Sequence, residues 1–397
     1  FRRYWIVVGI ARDLYDIPQA VKVLGEELVL FRDEFGKLGL VGLHCPHRGT
    51  SLEYADIECG GIRCPYHGWL FDVSGQCLEM PAEPKDSKFP QKVKHLSYPV
   101  QEQGGLIFAY MGPDRDDPPP LPKYGPLVDR GSQWQIEPVR HADYNWFNFF
   151  ENSADPAHVC ILHRHAGYGQ QSWGNQFFSY TEMPSFEFVE MDYGMKVVMT
   201  KPGPKPGTEF VDEMSLALPS IVQVGDTEFV HAKMDAAVLI KEGSQCEHWM
   251  FVTPNDDEHF MLFTADNYKG PEANFFEKLK ALREKETPVQ EVMPYDKRKF
   301  MPYKGNVRKE DLMTQGTQGL LGERSEQLSV SDRGVIKFRK IVVDAIQTGL
   351  RGGRLLLRGG RADRLGRRHV QPLEQADPRR PALPGNRPVA PGAREPA

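Results

Sequence analysis

Cys45-Pro-His47-Arg-Gly49 and Cys64-Pro-Tyr-His67-Gly-Trp69 are two short stretches, with sixteen residues between His47 and Cys64, and they decide the first half of the chain. Each places one cysteine and one histidine at a single tight turn, as Cys-x-His and then Cys-x2-His. Pro46 and Pro65 stiffen those turns, and Gly49 and Gly68 let the backbone pass close to whatever the side chains hold. Two such turns facing each other make a four-ligand pocket. In an iron–sulfur reading, Cys45 and Cys64 bind one iron as thiolates, and His47 and His67 bind the other through neutral imidazoles. A Cys2His2 zinc site is the competing reading. Its second half is usually a His-x3–5-His pair on a helix, whereas here each loop supplies one residue of each type, which suits two distinct irons. His44 precedes the first ligand and should face away from the pocket on an extended strand. Cys59 and Cys77 read as packing residues, since four ligand positions are already filled. Trp69 reads as a packing wall that keeps the site dry.

Around these loops, residues 1–112 hold short alternating apolar runs, such as Glu27–Phe31 and Leu106–Tyr110, punctuated by Gly, Pro, Asp and Asn. The pattern predicts a small, mostly β domain. Residues 113–122 follow as a proline-rich linker or wrapping arm, because such a run sustains neither a ladder nor a helix interior. Residues 123–349 form a second unit. Trp146–His163 has helical character. Strands are expected at Lys196–Thr200, Ser220–Val224, Val230–Ile240 and Glu247–Thr253, and helices at Asn274–Lys285, Val307–Met313 and Gly334–Ile346. Strands followed by helices predict an α+β layer, with helices on one face of an antiparallel sheet.

A second dense cluster lies in Glu151-Asn152-Ser-Ala-Asp155-Pro-Ala-His158-Val-Cys-Ile-Leu-His163. Asp155 and His158 are three apart and share a helix face. His158 and His163 are five apart, about 140° around an ideal helix, so both reach one metal only where the helix bends or ends. Pro156 favours such irregular geometry. Two neutral histidines and a carboxylate would complete a ferrous-iron face with positions left open for dioxygen. Partly buried helix histidines are the plainer alternative, and His165 is a rival ligand.

A cluster signature followed by Asn-x2-Asp-x2-His-x4-His resembles the large (alpha) subunit of the Rieske non-haem iron aromatic ring-hydroxylating oxygenases, most of all their phthalate-dioxygenase-like group. The resemblance covers Phe1 to about Gly349, with support from Glu310–Gly319 and Glu323–Asp332. It implies an all-β Rieske domain joined to a helix-grip (START-like) catalytic domain, usually in homotrimers or dimers of trimers. It implies one 2Fe-2S cluster and one mononuclear non-haem Fe(II) per subunit. By position, His158, His163 and Asp311 would ligate the mononuclear iron, with Glu310 as the rival carboxylate. Asp155 would bridge His158 to His67 of a neighbouring subunit, and Asn152 would sit near the iron. Met313–Gly316 departs from the Met-Gln-Glu-Ser often found after the family's carboxylate.

No G-x-G-x-x-G follows a strand and no plant-type Cys-x4-Cys-x2-Cys run occurs, so electrons from NAD(P)H should arrive through a separate reductase, with or without a ferredoxin. The expected chemistry is hydroxylation, dihydroxylation or O-demethylation of an aromatic compound with O2. A Rieske electron carrier with a ligand-binding domain, or an inactive frameshifted oxygenase, are the alternatives. His165–Leu282 should supply much of the pocket wall and contains no arginine. This disfavours a dicarboxylate and favours a neutral or monocarboxylated substrate. Lys196, Lys201, Lys233 and Lys241 remain as single-charge partners, each better read as a solvated residue. Trp173, Phe177, Phe178, Met234, Trp249, Met250 and Phe251 are candidates for apolar lining. Cys160 and Cys246 read as buried and inert.

The whole chain has 397 residues, 49 basic and 54 acidic, for a net charge of -5. That balance argues against nucleic acid as a partner. No apolar run approaches the roughly 20 residues a membrane helix needs, and six cysteines do not make a disulfide scaffold, so a cytoplasmic setting is expected. The start at Phe1 reads as a fragment or trimmed chain. Residues 350–397 are anomalous, with eleven arginines, no lysine and seven prolines. They read as a disordered or out-of-frame tail, and no function is assigned to them.

Overall fold

The computed structural model describes residues 1–15, 17–129, 131–163, 183–202, 208–225, 245–285, 307–350 and 371–372. The first part is built from three small antiparallel sheets. β1 (Trp5–Ile10) pairs with β11 (Leu106–Tyr110), which pairs with β10 (Val100–Gln103). β2 (Gln19–Val23), β3 (Glu26–Arg32), β4 (Leu38–Gly42) and β9 (Ser97–Tyr98) form the second sheet. β5 (Asp56–Glu58), β6 (Gly61–Arg63), β7 (Leu70–Asp72) and β8 (Cys77–Glu79) form the third. The third sheet is interleaved with the metal-binding loops, one of which joins β6 to β7.

β1 and β11 are buried at every position. Continuous burial rather than alternation means that both faces are covered. The cover comes from the second part of the chain. Val7 and Phe108 share a core with Trp249, Phe251 and Phe263. Thr253 Oγ1 donates to the Val7 carbonyl at 2.6 Å, and Leu24 N donates to the Pro254 carbonyl at 2.9 Å. The proline-rich arm is strapped down as well: Trp5 Nε1 donates to the Pro119 carbonyl at 2.7 Å, and Gln103 Nε2 to that of Pro122 at 3.0 Å.

The second part is one antiparallel sheet in the order β12 (Gln133–Ile136), β19 (Phe260–Lys269), β18 (Gln245–Pro254), β17 (Ile221–Gly225), β16 (Thr208–Ala217), β15 (Gly194–Pro202), β14 (Ser185–Met191). β13 (Arg140–Ala142) also pairs with β19, and β20 (Gln371–Pro372) with β16. β20 is the described part of the tail, and the rest of residues 351–397 lies outside the described residues. Val230–Ile240 lies outside them too. The other expected strands fall within β15, β17 and β18 or within a residue of them. Alternation along β18 sends Trp249 and Phe251 into the core shared with the first part. Met250 goes to the opposite face, where the helices and the cavity lie. Of the apolar residues expected to line a pocket, Trp249 and Phe251 therefore do not, and Trp173, Phe177, Phe178 and Met234 lie outside the described residues.

The longer or ligand-bearing helices among the described residues pack on that face. α1 (Gly125–Val128) is a single turn. α2 (Trp146–Asn152) and α3 (Ala157–Leu162) replace the one helical stretch expected over Trp146–His163. The break at residues 153–156 follows from Pro156, whose ring cannot continue the helix of the preceding turn. Asn145 caps α2 by accepting from Phe147 N at 2.9 Å. α4 (Phe275–Lys285) and α5 (Val307–Gly316) lie where apolar periodicity placed them. α6 (Arg333–Leu350) runs longer than expected, burying Val335, Phe338 and Ile341 at helical spacing.

α6 begins in close contact with the backbone ahead of α3. A Cβ on Gly334 would overlap the Ala154 carbonyl oxygen and the Phe188 ring. Gly334→Ala should therefore destabilise the protein by about 1–3 kcal/mol through overpacking, read as a lower urea midpoint with an unchanged slope.

Candidate metal centres

The two Cys/His loops have matching backbones. Gly49 N donates to the Cys45 carbonyl at 2.8 Å, and Gly68 N to the Cys64 carbonyl at 3.0 Å. Gly49 and Gly68 have φ of 77° and 72°, the left-handed region that glycine enters at little cost. The cysteines point inward and are 2% and 3% exposed. His47 is exposed and His67 half-buried, with ring centroids 4.4 Å apart. Sulfur ligands lie inside and nitrogen ligands at the surface, a segregation that suits two irons of different ligation better than one tetrahedral zinc. Burial pushes the Cys45 thiol up to about 12, with the Cys64 sulfur beside it adding to the shift. A bound cation is what would hold such a thiol as a thiolate. Partial burial, with His47 and Arg48 nearby, lowers the pKa of His67 and keeps it neutral for ligation.

Trp69 stacks on His47 at 4.5 Å, with 6° between the planes, and walls one side of the site as expected. His44 is exposed, and its ring reaches Gly49 O and Glu27 instead of the pocket. Cys77 is buried, but Cys59 is an exposed turn residue with φ of 52°, so it does no packing. Its Cys-Gly turn between β5 and β6 needs a left-handed residue, which the sequence reading passed over. Cys160 and Cys246 are buried, as expected.

The second centre forms where α3 ends. His158 lies within the helix. His163 is its C-cap, with φ of −88° and ψ of 9°, and the helix stop brings both rings to one point. His158, His163 and Asp311 present ligand atoms within 4.8 Å of one another. Asp311 Oδ1 stands 3.3 Å from His163 Nε2 and 3.8 Å from His158 Nε2. That oxygen is buried without a hydrogen-bond partner of good geometry, as expected of an atom that awaits a cation. Two imidazole nitrogens and one carboxylate oxygen fit a ferrous ion.

Adjacent carboxylates on α5 separate by role. Glu310 is fully buried, and its Oε2 stands 2.9 Å from His163 Nδ1, behind the ring. It fixes the tautomer that leaves Nε2 facing Asp311. Burial opposes a charge on His163, but Asp311 and Glu310 outweigh it and lift its pKa to about 9. Burial lowers the pKa of His158 despite Asp311. Ligation needs both rings neutral, so affinity for a cation here should increase with pH.

Asn152 Nδ2 lies 3.1 Å from His158 Nε2, at the edge of the triad. Asp155 differs from the expectation. Its backbone carbonyl, not its carboxylate, meets His158 Nδ1, while the carboxylate accepts from Ala157 N at 3.2 Å. The helix start at Ala157 draws the side chain to its own free N–H groups and leaves the carbonyl for the ring. Burial, with Asp332 nearby, raises the pKa of Asp155. His165 lies outside the described residues.

The triad opens onto a cavity of about 440 Å³ between the sheet and the helices, with Phe149, Val197, Met214, Met250, Phe260 and Leu262 among its walls. Several polar residues of this cavity were missed by sequence reasoning. Arg140 lines it from β13. Tyr144 donates to Gln315 Oε1 at 2.8 Å, and His248 engages the Asp266 carboxylate across β18 and β19. Arg140 escaped because the search for arginine was confined to His165–Leu282. Lys196 is bound to Glu213 at 2.9 Å and does not line the cavity. Lys201, Lys233 and Lys241 have no described side chains.

Residues 4–99 match the Rieske [2Fe-2S] domain family. The phenoxybenzoate dioxygenase subunit alpha of Ectopseudomonas oleovorans is 47% identical over 175 residues, which cover 41% of this chain and 42% of that protein. The tert-butanol monooxygenase / tert-amyl alcohol desaturase oxygenase subunit of Aquincola tertiaricarbonis is 32% identical over 365 residues, covering 87% of this chain and 73% of that one. The crystal structure of dicamba monooxygenase bound to dicamba shares the fold, with a TM-score of 0.66 and 20% identity, over 88% of this chain and 98% of that one. Matched along most of its length to a named oxygenase subunit, the chain belongs to the Rieske non-haem iron oxygenases, oxidoreductases that carry a 2Fe-2S cluster and a mononuclear iron and take electrons from a separate reductase.

Proposed function

We propose that this chain is a terminal oxygenase component that hydroxylates, dihydroxylates or O-demethylates an aromatic compound that is neutral or carries one carboxylate. The observation that carries the reading is the opening of the His158–His163–Asp311 face onto a mostly apolar cavity large enough for a ring compound. A ferrous ion held by these three residues supplies the dioxygen chemistry when bound. Glu310 holds His163 in the ligating tautomer, and the Asp155 carbonyl does the same for His158. The Asn152 amide stands at the rim of the metal position, where it limits what can approach the open side. The apolar walls hold the ring and exclude water.

Cys45, His47, Cys64 and His67 hold the cluster in this reading. Residues 1–112 form its domain, residues 123–349 the catalytic domain, and residues 113–122 the arm between them. The assembly is a homotrimer or a dimer of trimers in the cytoplasm, served by a reductase with or without a ferredoxin. No helix among the described residues is long and apolar enough to cross a membrane. Asp155 joins His158, which its backbone carbonyl meets, to His67 of a neighbouring copy, which its carboxylate would reach, so electrons cross between subunits. Two inactive chains, Cys45→Ala and Asp155→Ala, should recover activity when co-assembled, because some interfaces then pair an intact cluster with an intact acid. Activity no greater than that of either mutant alone would exclude the crossing. The product formed from a panel of benzoates, phenoxybenzoates and methoxybenzoates, with a surrogate reductase, tests the reaction itself.

A further inference from the structure

We propose that Arg140 determines the substrate class of the cavity by anchoring the single carboxylate of an aromatic monocarboxylate, an inference that rests on the oxygenase reading above. Arg140 is the one arginine among the described residues that line the cavity. The other described cationic or imidazole groups there, apart from the metal-facing pair, are Lys309, His141 and His248. Lys309 and His141 are exposed, where solvent screens their charge, and His248 is engaged by Asp266.

The guanidinium is held in place. Arg140 pairs with Leu262 across β13 and β19, and its Nη2 donates to Thr264 Oγ1 at 2.8 Å. Thr264 is fully buried and cannot swing away. A planar fork fixed on a strand meets a carboxylate with little loss of freedom. Tyr144 relates this group to the metal face. It lines the same cavity as Arg140 and Asp311, and its hydroxyl is fixed by donating to Gln315 Oε1 at 2.8 Å. A substrate ring alongside Tyr144 would then have its carboxylate at Arg140 and its reacting carbon toward His158, His163 and Asp311. The ring itself would lie against Phe149, Met214, Met250 and Phe260.

The same wall disfavours a second carboxylate. Asp266 and Asp311 are the acids among the described residues that line the cavity, and those residues offer no second arginine. A dianion would place its other charge against one of these acids or in apolar surroundings, both unfavourable. Among the described lining residues, the Arg140 guanidinium thus favours a monocarboxylate over a dicarboxylate and over an ester.

Anaerobic calorimetric titration of the iron- and cluster-loaded protein tests this directly, with phenoxybenzoate, its methyl ester and phthalate as probes. The wild type should bind phenoxybenzoate more tightly than the ester or phthalate. Arg140→Gln should weaken phenoxybenzoate about 10–100-fold, the size of one charge-assisted contact, and leave the ester within about threefold. Arg140→Lys should fall between them, with cluster absorption and circular dichroism unchanged as proof of folding. Equal losses for acid and ester, unchanged acid binding in Arg140→Gln, or a wild type indifferent to the carboxylate would each overturn the proposal. Adding reductase and O2 separates the two readings. Acid-selective binding without product leaves the anchor standing and removes the oxygenase function. Product formation with no dependence of binding on Arg140 does the reverse.

Discussion

Asp311→Ala should yield a folded chain that keeps its two-iron cluster, has lost its mononuclear iron and has no measurable turnover. Glu310→Gln should behave differently. Asp311 Oδ1 faces both ring nitrogens of the triad, whereas Glu310 lies behind His163 and meets its Nδ1. Removing the first deletes a ligand. Removing the charge of the second loosens a ring that is still present, and such outer partners typically contribute 10–100-fold to metal affinity. Iron analysis on the two variants after the same dialysis should therefore show near-complete loss of one iron from Asp311→Ala. Glu310→Gln should lose it partially and regain it with added ferrous ion. The opposite order of losses would reassign the ligand to Glu310.

The largest stability effect is expected away from the metals, at Glu151. This carboxylate is 5% exposed and is shared by two arginines: Arg324 Nη2 stands 2.6 Å from Oε1, and Arg339 Nη2 stands 2.7 Å from Oε2. Arg339 also grips Glu326 through both terminal nitrogens, at 2.5 and 2.9 Å. The network ties α2 to α6 and to the segment between α5 and α6, one residue from Asn152. Glu151→Ala would leave two largely buried guanidiniums without their shared acceptor, and breaking a buried pair costs about 3–5 kcal/mol. Domain stabilities run from about 5 to 15 kcal/mol, so a change of that size would be conspicuous in a urea melt. Glu151→Gln keeps the shape and part of the hydrogen bonding and should cost less. A loss below about 1 kcal/mol in the alanine variant would mean that the arginines find other partners. Acid should weaken the same network. Hydrogen bonds from Arg339 hold Glu326 below the usual glutamate range, so its contribution is present above that range and is lost as pH falls through the lowered value.

What the sequence made legible is local chemistry with a fixed spacing. Cys45, His47, Cys64 and His67 announce themselves because tight turns need Pro and Gly at set offsets from the ligands, and the structure places Gly49 and Gly68 at positive φ. The five-residue interval between His158 and His163 implied that a helix must bend or end there, and α3 ends at Leu162. Neighbouring carboxylates were not separable in the same way. Glu310 and Asp311 differ only in which side of α5 faces the cavity, and tertiary packing decides that. Asp155 was assigned through its carboxylate, but the helix N-terminus at Ala157 took the side chain, a local competition that residue spacing does not reveal. The long-range groups were illegible for a simpler reason. Arg140 meets Thr264, and Glu151 meets Arg339, across 124 and 188 residues, and no periodicity records such pairs. Likewise the shared core of Val7, Phe108, Trp249 and Phe251 was hidden by reading the two halves of the chain as separate units.

Metal and sulfide analysis of anaerobically purified protein, read together with its electron paramagnetic resonance spectrum after mild reduction, bears most directly on the pairing of a cluster with a separate iron. About three irons and two inorganic sulfides per chain are predicted, with a signal from a mixed Cys/His-ligated cluster that survives in Asp311→Ala while one iron disappears. A colourless protein with one zinc and no sulfide would contradict the account.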